Sequence, residues 1–108
     1  MIKQNVFIDN FSPLYEILDE IKDNLSFNII KCKDVEDFLK TLNTSPNNLL
    51  ICKKSNLKSL LNKGLNNKNI LYFEGIPLSI VKIIDLINIQ LIKLKFNHQS
   101  KVNIKQYE

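Results

Sequence analysis

The stretch from Asn69 to Phe96, NILYFEGIPLSIVKIIDLINIQLIKLKF, sets the terms on which the rest of the chain can fold. Ile70 to Phe73 read as a buried strand, Gly75 to Pro77 as a turn, and the remainder as one long helix. Pro77 suits the first turn of that helix, where a missing N–H has no intrahelical partner to lose. From there Ile80, Ile84, Ile87, Leu91 and Leu94 recur at spacings of four and three, a continuous apolar stripe along one side. A second set, Val81, Ile83, Leu86, Ile89 and Ile92, is equally apolar and points elsewhere. Packing on one sheet needs only the first set. The surplus implies a helix that is either buried on several sides or half of an interface. About 19 residues at ~1.5 Å each is also longer than a compact small domain requires. A two-fold pairing of this helix with its copy is the expected assembly, since closed dimers are the commonest one.

Polar residues decide what this apolar run is not. Lys82, Asp85, Asn88, Gln90 and Lys93 interrupt it, so it does not read as a membrane span. The N-terminus, Met1 to Asn10, reads as a strand with polar flanks and not as a secretory signal, so the chain is expected to be soluble and cytoplasmic. Its 108 residues suffice for one domain with a real core.

The formal charge of +4 invites a nucleic-acid reading, yet every basic residue is Lys. Arg, the usual residue for bidentate contacts to bases and phosphates, is absent. The Lys, Asn and Ile bias is what an AT-rich genome produces. Asp9, Glu16, Asp19, Glu20, Asp23, Asp34, Glu36 and Asp37 crowd the first third while the rest is Lys-rich, a pattern more typical of differently solvated faces than of a binding groove. Cys32 and Cys52 each fall at the end of an expected strand and read as structural thiols. Neither shows metal spacing, and the single histidine, His98, lies far along the chain. A disulfide is not expected in a cytoplasmic protein.

Strand and helix alternate along the whole chain. Val6 to Ile8 form a first strand, after which Ser12 is placed as N-cap with Pro13 at the first helical position and Leu14, Ile17, Leu18 and Ile21 facing inward. Phe27, Ile29 and Ile30 form a second strand. Asp34 caps a helix whose buried side is Val35, Phe38, Leu39 and Leu42, with Asp37 in the first turn favoured by the helix dipole. Thr44 to Asn48 turn, and Leu49 to Ile51 form a continuously apolar strand of the kind covered on both faces. Leu57, Leu60 and Leu61 mark a third helix stopped by Gly64. This order predicts an α/β fold of three layers, α/β/α, with a mostly parallel sheet and right-handed crossovers. The tail from His98 to Glu108 interleaves Val102, Ile104 and Tyr107 with polar residues and reads as an edge strand or an arm. The expected division is therefore a domain over 1–97 and a separate segment over 98–108.

In such a sheet, chemistry gathers at the carboxyl ends of the strands. Those ends carry Asp9-Asn10, Cys32, Cys52-Lys53-Lys54 and Glu74-Gly75. No Gly-rich phosphate loop follows any of them, and the lone His98 cannot complete a Cys/His or Ser/His/Asp set. No cofactor, metal or small-molecule ligand is called for.

PNNLLIC at Pro46 to Cys52, IPLSIVKIIDLIN from Ile76 and the Asp9-Asn10 pair resemble motifs of the receiver domain of bacterial response regulators, the CheY/flavodoxin-like fold. The resemblance spans about residues 3 to 96, and the chain is shorter by about one strand–helix unit between Gly64 and Asn69. It implies a third strand ending at the phosphoacceptor Asp, a Lys-Pro turn before the last helix, and an acidic pair after the first strand. Here the phosphoacceptor position falls on Cys52 and the family's Lys on Ile76, while Phe73-Glu74 offer no Ser or Thr at the preceding strand end. Phosphorylation of a receiver needs a carboxylate nucleophile, a Mg²⁺ held by several acidic groups and a Lys on the phosphoryl oxygens. Asp9, Asn10, Cys52 and Ile76 thus resemble a degenerate phosphorylation site, and the chain resembles a pseudo-receiver that is neither phosphorylated nor catalytic.

SKVNIKQYE at Ser100 to Glu108 is similar to the first strand of the winged-helix output domain in OmpR/PhoB-type regulators. The resemblance then implies the N-terminal part of a transcriptional regulator of alphaproteobacterial type, a homodimer whose DNA contacts lie in a missing C-terminal domain. The dimer interface is expected on Ile80, Ile84, Ile87, Leu91 and Leu94, together with the second apolar set. Two alternatives belong to other classes. One is a stand-alone adaptor that binds another protein. The other is a thiol-based sensor using Cys52, whose pKa the neighbouring Lys53 and Lys54 would lower.

Overall fold

A computed structural model describes residues 3–75 and 79–107, with side chains through Phe96. Four strands, β1 (Gln4–Asp9), β2 (Phe27–Cys32), β3 (Leu49–Lys53) and β4 (Ile70–Phe73), alternate with four helices, α1 (Ser12–Glu20), α2 (Val35–Thr44), α3 (Lys54–Asn62) and α4 (Ile80–Tyr107). The strands form one sheet in the order β2-β1-β3-β4, parallel throughout. This is the doubly wound, CheY/flavodoxin-like order with four strands among the described residues, and the order in which strands are added reverses between β1 and β3.

Side chains alternate across the sheet and divide the interior in two. Val6, Ile8, Leu49, Ile51 and Phe73 meet Leu14 and Leu18 of α1 and Ile83, Ile87, Leu91 and Leu94 of α4. On the other face Leu50, Cys52 and Ile70 meet Val35 and Phe38 of α2 and Leu60 and Leu65 at the end of α3. Phe7 adds an edge-to-face contact with Phe38, their ring centroids 5.1 Å apart. β3 is buried on both sides, which explains its unbroken apolar run.

Local chemistry fixes the boundaries. The carboxylate of Asp34 accepts a hydrogen bond from the backbone N–H of Glu36 at 3.0 Å and caps α2 as expected. Gly64, at φ +102°, closes α3 in a conformation that a side chain would strain. The α1 cap differs from expectation. Phe11 occupies it without a side-chain hydrogen bond, and Ser12 lies within the helix. Phe11 is buried, so packing holds the entry to α1 where a hydroxyl was expected to.

Two buried amides lock the opposite end of the sheet. Asn69, just before β4, donates through Nδ2 to the carbonyls of Pro46 (2.9 Å) and Asn48 (3.0 Å). Asn48 in turn donates to Thr41 Oγ1 at 3.2 Å, and the Thr41 hydroxyl donates to the Phe38 carbonyl at 2.6 Å. The chain of bonds ties α2, the loop before β3 and the start of β4 into one unit. No buried side-chain N or O among the described residues lacks a partner.

The tail departs from the expected edge strand or arm. Residues 98–107 continue α4, which runs 28 residues to Tyr107. No Gly or Pro follows Pro77, and extending an existing helix adds a hydrogen bond per residue without a new nucleus. An isolated strand has no comparable support.

Candidate functional site

The carboxyl end of the sheet brings the expected site residues into one row. Asp9 pairs in register with Cys32, the β1–β3 register (Ile8 with Ile51) sets Cys52 on its other side, and Cys52 pairs with Tyr72. Asn10 follows at φ 48°, a left-handed conformation that Asn tolerates and that turns the chain from β1 into α1. Cys32 and Cys52 are thus two strand spacings apart, about 10 Å, beyond the reach of a disulfide. Both are free thiols. Ile76 and Pro77 lie outside the described residues.

The electrostatics of this row oppose nucleophilic chemistry. Burial pushes the Cys52 thiol up to about 11, with the charge of Asp9 adding to the shift. Cys32 is likewise raised to about 11, by burial first and then by Asp9. Asp9 is itself raised by burial, with Lys63 pulling the other way. The lysines expected to activate Cys52 are engaged elsewhere. Lys54 Nζ bonds Glu74 Oε1 at 2.8 Å, and Lys53 Nζ lies 5.6 Å from the Phe11 ring centroid. The expectation of a depressed Cys52 pKa is therefore reversed, because the thiol is fully buried among the apolar side chains between β3 and the helices α2 and α3.

A cleft of about 480 Å³ opens beside Asp9, between Asn10, Phe11 and Tyr15 and the Lys31–Lys33 segment. Lys31 leans over the Tyr15 ring at 5.9 Å. Among the described residues no group of three or more His, Cys, Asp or Glu side chains is arranged to hold a metal ion. What the cleft offers is one half-buried carboxyl, its pKa raised by burial, beside the Cys32 thiol.

The second surface is on α4. Ile83, Ile87, Leu91 and Leu94 are buried in the protein's own core, and Ile80 and Ile84 pack at its margin. The expected interface stripe of Ile80, Ile84, Ile87, Leu91 and Leu94 thus faces inward, because α4 covers the β1–β3–β4 surface of the sheet. Exposed apolar side chains lie on the opposite side: Val81 (65 %), Ile89 (48 %), Ile92 (64 %) and Phe96 (62 %). Of the second set, Ile83 belongs to the core and Leu86 lies at its margin. With Asp85, these outward positions fall at 81, 85, 89, 92 and 96, a four-four-three-four repeat that marks a single helix face. Phe96, which neither sequence stripe contained, belongs to it.

No helix among the described residues is long and apolar enough to cross a membrane. Compared with known proteins, the chain matches no family model, no curated protein and no solved structure.

Proposed function

We propose that this chain is a non-catalytic, receiver-like regulatory domain that acts by pairing with a second copy of itself across the outer face of α4. The observation that carries the reading is the row Val81, Ile89, Ile92 and Phe96, apolar and exposed on the side of α4 turned away from the core. A helix that only covered its sheet would present polar residues there. Contiguous exposed apolar surface of this kind marks an interaction site.

The carboxyl end of the sheet supports the non-catalytic part. A buried, protonated Cys52 in the phosphoacceptor position forms no acyl phosphate, and Asp9 alone supplies too few acidic ligands for Mg²⁺. The same features weigh against a thiol sensor at Cys52. The resemblance to OmpR/PhoB-type pseudo-receivers extends the proposal to a cytoplasmic transcriptional regulator, in which pairing of this domain sets the spacing of two DNA-binding domains. DNA contacts would then belong to the output domain, joined through the end of α4.

Sedimentation across a range of concentrations tests the reading. The expected result is a reversible dimer near twice 12.6 kDa. A monomer at all concentrations would overturn self-pairing and assign the face to a different protein, as in an adaptor.

A further inference from the structure

The outer face of α4 carries one charge in its midst, and that charge restricts how two copies can meet. Asp85 lies in the stripe itself, four residues from Val81 and four from Ile89, and is exposed. Lys82 and Lys93 flank the stripe on one side and Lys95 on the other, and all three are exposed. In a parallel two-fold pairing, each residue of the stripe faces its own copy. Asp85 would then oppose Asp85 inside an apolar seam, with Lys82 beside Lys82 and Lys93 beside Lys93. Like charges brought together where water is displaced are strongly disfavoured.

An antiparallel pairing centred on Ile89 has none of these clashes. With Ile89 opposite its copy, Asp85 of one chain falls opposite Lys93 of the other, four residues on either side of the centre. Val81 then falls within a residue of Phe96, and Phe96 reaches the aliphatic stem of Lys82. Asp85 and Lys93 each gain a partner of opposite sign, Lys82 gains a ring, and the large Phe96 ring covers the small Val81. We infer that two copies of this chain associate through antiparallel α4 helices, with the two-fold axis near Ile89 and Asp85–Lys93 pairs on either side. This rests on the self-pairing proposed above and adds its direction.

The geometry has a consequence for whatever is joined to α4. Tyr107 lies 18 residues beyond Ile89, about 27 Å at the helical rise, so the two C-terminal ends emerge at opposite ends of the dimer, about 54 Å apart. A parallel pair would deliver them side by side, within about 10 Å.

Charge exchange distinguishes the two. Asp85→Lys and Lys93→Asp are each expected to raise the dimer dissociation constant about ten-fold, and the double variant to restore it to within about three-fold of the parent. In a parallel dimer, each single change only swaps one like-charge pair for another, so little loss and no rescue would result. Cysteine trapping in a Cys32→Ser background gives an independent readout, since Cys52 is buried. Val81→Cys mixed with Phe96→Cys is expected to form a covalent dimer, with neither variant cross-linking alone. A dimeric parent in which Val81→Cys links to itself would overturn the antiparallel arrangement while leaving self-pairing intact. A parent that is monomeric throughout would overturn both.

Discussion

Leu91 and Ile92 are neighbours in sequence and lie on opposite sides of α4, so the same substitution at each should have opposite consequences. Leu91 is 4 % exposed and packs against the sheet, whereas Ile92 is 64 % exposed. Replacing Leu91 by Asp removes a buried side chain, which costs about 2–5 kcal/mol with its cavity. It also places a carboxylate in an apolar interior, which adds several kcal/mol more. The total, above ~5 kcal/mol, reaches the whole stability of a typical small domain at about 5–15 kcal/mol. Leu91→Asp should therefore be unfolded at 25 °C. Ile92→Asp loses little burial and a few tenths of a kcal/mol of helix propensity, so its fold should stay within ~0.5 kcal/mol of the parent. Its effect should appear in association, where a second carboxylate close to Asp85 raises the dissociation constant by about ten-fold or more. Thermal melts followed by circular dichroism, paired with sedimentation, read both quantities. A Leu91→Asp variant that melts within a few degrees of the parent would refute the placement of α4 on the sheet. A folded Ile92→Asp variant with parental association would refute the assignment of its outer face.

Two further substitutions probe the rest of the molecule. Asn69→Asp keeps the shape of the side chain but removes the donor, leaving a carboxylate against the Pro46 and Asn48 carbonyls. It should cost about 3 kcal/mol and lower Tm by about 10–15 °C, more than Asn69→Ala, and the reverse order would show that the two bonds do not hold this end of the sheet. Asp9 has a folded-state pKa raised by burial, so the stability it contributes is complete below its ordinary value of 3.8 and is lost as pH rises through the raised one. Asp9→Asn should accordingly be the more stable protein at pH 7, by at most about 1 kcal/mol because the carboxyl is half in solvent, and the two melting curves should converge below about pH 4. A gap that does not change with pH would show that the charge is not its cause.

Much of the fold was legible because its signals were local. The Asp34 cap, the Gly64 stop and the unbroken apolar run of Leu49 to Ile51 each act within one turn or one strand, and each is found where the pattern puts it. The positions of Asp9 and Cys52 near the carboxyl ends of their strands are legible in the same way. Their chemistry was not legible, because a thiol's pKa depends on the face of the sheet it occupies and on where nearby cations go. Lys53 and Lys54 are next to Cys52 in sequence, yet one lies over Phe11 and the other is bonded to Glu74. Only the pairing register reveals that Asp9 sits on the strand beside the thiol, where its charge raises the pKa.

The rotation of α4 about its own axis shows most clearly where reading a sequence stops. With apolar residues on every side, the spacing of Ile80, Ile84, Ile87, Leu91 and Leu94 fits an inward stripe and an outward one equally well. Polar side chains break the tie, and they do so through partners distant in the chain. Gln90 Nε2 donates to the Lys68 carbonyl at 2.8 Å, Ser26 Oγ donates to Asn88 Oδ1 at 2.8 Å, and Gln4 Nε2 donates to the Leu91 carbonyl at 3.3 Å. These bonds attach α4 to the segments before β4 and β2 and to β1. They turn Ile83, Ile87, Leu91 and Leu94 onto the sheet and leave 81, 85, 89, 92 and 96 outward. Other rotations would also carry Lys82, Asp85 or Lys93 toward the apolar interior, at a cost of several kcal/mol per charge. Tethers and charges together select one rotation, and that selection leaves Asp85 in the middle of an exposed apolar row.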